Sequence, residues 1–211
     1  MAMSGVQKTV LVTLAAIALV IGAVVNKVSR PVPLDPEQLS RAGIFLFDTP
    51  RALPDISMTS ATGQAWGKDD LNGQWDLLFF GYTFCPDICP ATLAQLRQLQ
   101  GQLPPETLAK LRIVLVTVDP HRDTPEQLKK YLDYFDAGFI GLTGEEATIQ
   151  KLANGVSIPF IPADTSKENY TVDHSGNLVL IGPDGKQRGF IRAPINNTKL
   201  AAQLPGLLDR P

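Results

Sequence analysis

Cysteine and histidine are scarce in this 211-residue chain, and positive charge is nowhere clustered. The two cysteines, Cys85 and Cys89, are too few for a disulfide-stapled scaffold, which needs several spread along the chain. No run of Lys and Arg exceeds two residues and the net charge is −2, so no nucleic-acid-binding surface is indicated. Apolar residues make up 44% and charged residues 19%, which excludes a disordered chain and leaves room for one globular domain.

An uncharged apolar run lies near the N-terminus, from Thr9 to Val25. Its length fits a single transmembrane helix, which needs about 17–25 residues, so we predict an anchor over residues 9–26 after a short tail of residues 1–8. A cleaved secretory signal is the rival interpretation. It is disfavoured because the run is long for a signal and no clear cleavage site follows it. Positive residues flank both ends, so they do not predict an orientation.

A proline-rich segment follows the predicted anchor. Residues 30–36 (RPVPLDP) hold three prolines, which is typical of an extended, semi-rigid linker. We therefore predict a tether over residues 27–52 and a globular domain over residues 53–211.

The predicted elements of residues 53–211 follow the order of an α/β domain. Two continuous apolar runs, residues 75–81 and 112–118, are typical of central strands covered on both faces. The other predictions are short strands at 55–58, 64–66 and 139–142, a helix over 90–103, helices beginning with capping boxes at Thr124 and Thr143, a long loop over 157–175, a hairpin over 177–192 and a helix over 197–208 disturbed at Pro205. This order predicts a thioredoxin-like fold, a mixed central sheet flanked by helices.

The two cysteines lie where the first central strand gives way to a helix. Pro86 suits the first position of a helix, so we expect Cys85 at a helix N-terminus, where the dipole favours the thiolate. Cys89 follows four residues later, which places both sulfurs on one helical face if the turn is regular. Thiolates select Cu(I), zinc or iron–sulfur clusters. Two buried cysteines that pack as small apolar side chains are the alternative.

Two sulfurs leave a metal ion undercoordinated, and histidine is the natural third ligand. His174 ends the long loop before the hairpin, where a thioredoxin-like fold faces it toward the helix-opening cysteine. His121 lies in a charged loop and is interpreted as a solvated side chain. A Cys₂His set suits copper in both oxidation states, with tetrahedral zinc as the runner-up. The acidic candidates for orienting these ligands are Asp87, Asp119 and Asp173.

Three segments resemble the signature blocks of the Sco/SenC family in order and spacing: GYTFCPDICP from Gly81, VDPHRDTPEQL from Val118 and YTVDHSGNLVLIGPDG from Tyr170. The resemblance covers roughly the whole globular domain. It implies a thioredoxin-like fold behind one N-terminal membrane anchor. It also implies one copper ion, Cu(I) or Cu(II), bound by Cys85, Cys89 and His174.

The resemblance further implies a copper metallochaperone that helps to assemble the CuA centre of cytochrome c oxidase subunit II and exchanges copper with other carriers. The implied location is the bacterial inner membrane with the domain in the periplasm, or the mitochondrial inner membrane facing the intermembrane space. The alternative function is a thiol–disulfide oxidoreductase, in which Cys85 attacks and Cys89 resolves, keeping the CuA cysteines reduced. The CxxxC spacing, the missing active-site cis-proline and the loop histidine favour copper. A peroxidase needs one activated thiolate with polar or basic partners, which two proline-flanked cysteines and a facing histidine do not resemble.

Overall fold

A computed structural model describes residues 5–28, 34–167 and 170–210. The chain divides into two compact units, Met1–Pro33 and Leu34–Pro211. The first unit contains helix α1, Gly5–Val28. Judged on the described residues, no helix is both long and apolar enough to cross a membrane. The anchor predicted over residues 9–26 stays a prediction.

The second unit is an α/β domain built on one eight-stranded sheet. Its strands are β1 Ile44–Ala52, β2 Ser57–Ser60, β3 Ala65–Gly67, β4 Trp75–Gly81, β5 Leu111–Thr117, β6 Ile140–Thr143, β7 Leu178–Ile181 and β8 Lys186–Ile191. Its helices are α2 Pro36–Arg41, α3 Ile88–Gln100, α4 Pro105–Leu108, α5 Pro125–Asp133, α6 Glu146–Gly155 and α7 Asn197–Leu208, with a 3₁₀ turn at Lys68–Leu71.

The sheet is mixed, with the strand order β1-β8-β7-β4-β5-β6-β2-β3. Strands β4, β5 and β6 are parallel, whereas β7 runs antiparallel to β4 and forms the predicted hairpin with β8. Every residue of β4 and β7 is buried, as expected for apolar runs in the middle of a sheet covered on both faces. Helix α3 packs against α7, and α5 packs against β6. The predicted thioredoxin-like arrangement is confirmed.

Residues 34–52 differ from the prediction, because they belong to the folded unit rather than to a tether. The Asp35 side chain accepts the Glu37 N–H at 2.9 Å, and Pro36 occupies the first turn of α2, so the third proline begins a helix. Helix α2 buries Leu39, and β1 pairs with β8 at the edge of the sheet. Residues 29–33 of the predicted tether lie outside the described residues.

Three helices differ in detail from their predicted form. Helix α3 begins at Ile88, after Cys85, and α6 begins after Glu145, because Thr143 belongs to β6. Helix α7 continues through Pro205 to Leu208, where its leucines are buried, so packing outweighs the hydrogen bond that proline removes. The predicted cap of α5 is confirmed, since Thr124 accepts the Gln127 N–H at 3.2 Å.

Strand β1 approaches β8 so closely at Gly189 that a side chain does not fit. A Cβ there would lie 2.0 Å from the Phe45 carbonyl oxygen and 3.0 Å from the Leu46 Cα. We expect Gly189→Ala to push β1 off the sheet and to lower the free energy of unfolding by about 1–3 kcal/mol, measured by urea denaturation.

Gly101→Ala is the matched control. Gly101 has a φ of −67° at the C-terminus of α3, and its Cβ would meet no atom closer than 3.5 Å. Equal unfolding free energies for the two variants would show that the β1–β8 pairing does not depend on this close approach.

Candidate metal centre

The structure brings the three predicted ligands together, although His174 is distant in sequence from both cysteines. The two Sγ atoms and the imidazole nitrogen all lie within 4.8 Å of one another. Cys89 Sγ is 3.3 Å from His174 Nε2, and both thiols are free. The donor set of two sulfurs and one imidazole fits a soft or borderline metal such as copper or zinc.

The cysteine segment, residues 82–90, links the end of β4 to the first turn of α3. Cys85 precedes the helix rather than sharing a regular helical face with Cys89, which corrects the predicted spacing. The Cys89 N–H, one of the free donors at a helix start, points at Cys85 Sγ from 3.4 Å. A Cβ on Gly81 would lie 2.9 Å from Cys89 Sγ, so this glycine makes room for a sulfur that is fully buried. Cys85 remains half-buried.

Burial sets the protonation of Cys89 and His174. It raises the pKa of the Cys89 thiol well above its ordinary range, so Cys89 is a thiol at neutral pH. It also lowers the pKa of His174, against the opposing effect of hydrogen bonds with the backbone at Ser175 and Phe80, so the imidazole is neutral. His174 Nδ1 lies 3.3 Å from the Ser175 carbonyl oxygen, which only accepts, and this favours a proton on Nδ1. Nε2 then offers its lone pair toward Cys89, as a metal ligand must.

Two aromatic rings hold the imidazole edge-on. The ring centroids of Phe79 and Tyr82 lie 6.0 and 5.7 Å from that of His174, at interplanar angles of 69° and 86°. The Tyr82 hydroxyl also accepts the Val172 N–H at 3.2 Å. Tyr82 therefore links the cysteine segment to the His174 segment, residues 170–177, by a ring contact and a hydrogen bond.

An arginine and a buried carboxylate tie the two segments together from the β5–α5 loop. Asp119 accepts from Arg122 Nε and, at 2.9 Å, from the Tyr170 hydroxyl. Arg122 Nη2 donates to the Tyr170 carbonyl at 3.1 Å. The guanidinium carbon lies 3.7 Å from the Tyr170 ring centroid and 4.8 Å from that of Phe84. We call Arg122, Asp119 and Tyr170 the arginine clamp.

A second buried carboxylate fixes the turn just before Cys85. Asp123 accepts the Thr83 N–H at 3.0 Å, the Thr83 hydroxyl at 2.6 Å and the Thr117 hydroxyl at 2.6 Å. Burial raises the pKa of Asp123, and these hydrogen bonds oppose the rise. Gln127 on α5 adds a hydrogen bond to the Thr83 hydroxyl at 3.1 Å. The VDPHRDTPEQL block thus supports both ligand-bearing segments.

Sequence reasoning identified one of these supporting residues and missed the others. Asp119, a predicted orienting group, hydrogen-bonds Arg122 and Tyr170. Asp87 and Asp173 are exposed, and the charge of Asp173 opposes the lowering of the His174 pKa by burial. The sequence analysis did not single out Arg122 and Asp123, although both lie close to Asp119 in the same signature block. His121 lies outside the ligand group, with Nε2 3.1 Å from Glu146 Oε2.

Comparison with known proteins points to the same family as the three signature blocks. The family model described as SCO1/SenC matches residues 48–209. A protein of Stutzerimonas stutzeri named as copper-binding is 49% identical over 171 residues, covering 81% of this chain and 84% of that protein. The human mitochondrial protein SCO1 homolog is 32% identical over 71% of this chain, which spans half of its length. The crystal structure of Arabidopsis thaliana ScoI with copper bound has 28% identity and a TM-score of 0.67, over 75% of this chain and 99% of that one.

The arginine clamp makes a prediction about local stability. Arg122→Ala removes the hydrogen bond to Tyr170 and leaves the buried Asp119 carboxylate without its cation, so the His174 segment should open more often. We expect the Val172 amide to exchange with deuterium about tenfold faster, as measured by NMR. Arg122→Lys keeps the charge but not the planar fork, and should give an intermediate rate.

Arg97→Ala is the control, because Arg97 is exposed on α3. The clamp has no role if the Val172 amide exchanges at the same rate in all four proteins.

Proposed function

The chain belongs to the SCO1/SenC family, and from that premise we propose that it is a membrane-anchored copper metallochaperone. It binds one copper ion, Cu(I) or Cu(II), through Cys85, Cys89 and His174. It delivers this ion to the CuA centre of cytochrome c oxidase subunit II. Copper is therefore the cargo of the protein rather than a permanent cofactor.

One observation carries the proposal: two sulfurs and a neutral imidazole from separate segments converge within 4.8 Å. Thiolates and imidazole together accommodate both oxidation states of copper, whereas zinc in a structural site takes four protein ligands. The relatives named above as copper-binding or copper-bound support copper over zinc.

Differences in burial among the ligands support transfer rather than permanent storage. Cys89 is fully buried, whereas Cys85 and His174 are half-buried. An acceptor can approach the ion only from the side of the half-buried pair. The copper–ligand bonds to Cys85 and His174 are replaced first and the bond to Cys89 last. The ion keeps its oxidation state throughout, so no external electron donor is needed.

A thiol–disulfide oxidoreductase remains the second candidate, and the free thiols within reach of each other support it. Cys85 would attack a partner disulfide to form a mixed disulfide, and Cys89 would then attack Cys85 Sγ, releasing the reduced partner and leaving a Cys85–Cys89 disulfide. The raised pKa of the Cys89 thiol argues against Cys89 as the resolving group, because that group must be a thiolate. A bound copper ion supplies the positive charge that stabilises that thiolate.

Replacing the imidazole separates the two functions. His174→Ala should lower copper affinity more than about 100-fold, beyond the 10–100-fold loss typical of residues that only orient a ligand. Competition with a chromophoric Cu(I) chelator measures the affinity. The same variant should still reduce a small disulfide at a rate close to that of the unchanged protein.

His121→Ala provides the control, since His121 is the only other histidine. Unchanged copper affinity in His174→Ala would mean that the imidazole is not a ligand. Unchanged affinity in that variant together with lost disulfide reduction would favour the oxidoreductase.

The anchor and the location complete the proposal. Residues 9–26 span the inner membrane once, with the globular unit in the periplasm of a bacterium or the intermembrane space of a mitochondrion. The apolar run from Thr9 to Val25 supports this assignment. The full chain should remain with membranes washed in alkaline carbonate, and a chain lacking residues 1–28 should be released. Release of the full chain by carbonate would contradict the anchor.

A further inference from the structure

Exposed apolar side chains lie on or beside the segments that form the metal centre. Among the described residues of the second unit, five large apolar side chains are exposed: Leu46, Phe84, Ile88, Tyr134 and Ile161. Phe84 neighbours Cys85, and Ile88 neighbours Cys89. The Ile161 N–H donates to the carbonyl of Asp173, next to His174, at 3.3 Å. Three of the five therefore lie on the ligand-bearing segments or are hydrogen-bonded to one of them, and we call Phe84, Ile88 and Ile161 the apolar collar.

The collar is exposed although its members have packing partners on one side. The Arg122 guanidinium carbon lies 4.8 Å from the Phe84 ring centroid, and Ile88 lies against Gly176, where a Cβ would be 2.9 Å from Ile88 Cδ1. Their exposed fractions are nevertheless 52% for Phe84, 40% for Ile88 and 68% for Ile161. Clustered apolar surface of this kind on a soluble domain marks an interaction site, whereas single exposed apolar residues do not.

A groove continues the collar along one side. It has a volume of about 360 Å³ and lies between Ile88 and Thr92 of α3 on one wall and Gly176, Pro194 and Ile195 on the other. None of its lining residues carries a charge. The groove therefore suits an extended, uncharged segment of a partner, since a charged side chain entering it would lose hydration without gaining an ion pair.

We infer that the apolar collar and this groove form the docking surface for the ligand-bearing loop of the protein that exchanges copper with this chain. The inference rests on the proposed function. Ligand exchange requires a donor atom of the partner to reach bonding distance of the ion, and Cys89 is fully buried. The partner must then approach through the half-buried Cys85 and His174 and, with them, cover the neighbouring collar. The occupant is the loop of the copper acceptor that brings a donor atom to the ion, and the uncharged groove suits an uncharged stretch of that loop.

The test measures copper transfer from the loaded full chain to two acceptors. The soluble CuA domain of cytochrome c oxidase subunit II is the protein acceptor, and a small Cu(I) chelator is the acceptor that needs no docking. Ile88→Ser and Ile161→Ser should each slow transfer to the CuA domain about tenfold, because each removes apolar contact area at the centre of an interface. Transfer to the chelator should not change.

Tyr134→Ser is the matched control, because Tyr134 is 85% exposed and lies at the end of α5, outside the collar. Equal transfer to the CuA domain by the collar variants and the unchanged protein would overturn the collar and leave the proposed function intact. Slowed transfer to both acceptors would also overturn the collar, since the substitutions would then change how the chain holds the ion rather than how the partner docks. Failure of the unchanged protein to load the CuA domain would contradict the proposed function, and the collar with it.

Discussion

The contact between Cys89 Sγ and His174 Nε2, 3.3 Å long and sealed from solvent on the sulfur side, is the interaction on which the centre depends. It requires a buried sulfur at the start of α3 and a neutral imidazole from a segment with no regular structure. Gly81 provides the space for the sulfur, because any Cβ at the end of β4 would collide with it. Burial keeps the thiol protonated and the imidazole neutral, so the two polar groups satisfy each other.

The His174 segment is ordered by side chains rather than by secondary structure. Fixing the backbone of each residue costs about 1–2 kcal/mol of conformational entropy, so a segment outside helices and strands needs other contacts to hold it. Tyr82 and the arginine clamp supply them, with hydrogen bonds at Val172 and Tyr170 and ring contacts at His174 and Tyr170. All of these contacts originate in the cysteine segment or in the β5–α5 loop, so the two halves of the centre are positioned by one network.

Graded burial connects this geometry with the proposed transfer of copper. A ligand set sealed on every side would hold an ion indefinitely, and one exposed on every side would exchange it with any thiol in solution. Here Cys89 is fully buried, whereas Cys85 and His174 are half-buried, and exposed apolar side chains lie nearby on or beside the same segments. An acceptor of complementary surface can therefore reach the ion, and the docking proposed above would make that access selective.

The sequence by itself determined the order of the central strands and helices, because continuous apolar runs such as residues 75–81 are distinctive. It also identified the three candidate ligands, because so few cysteines and histidines are present. It did not predict β1, whose residues lie beside a proline-rich segment and pair with β8 at the far end of the chain. Nor did it predict Arg122 or Asp123, because the partners of buried charges are set by loops that meet only in three dimensions. Local patterns depend on neighbours in the chain, whereas pairing, burial and pKa depend on neighbours in space, and only the tertiary structure decided those.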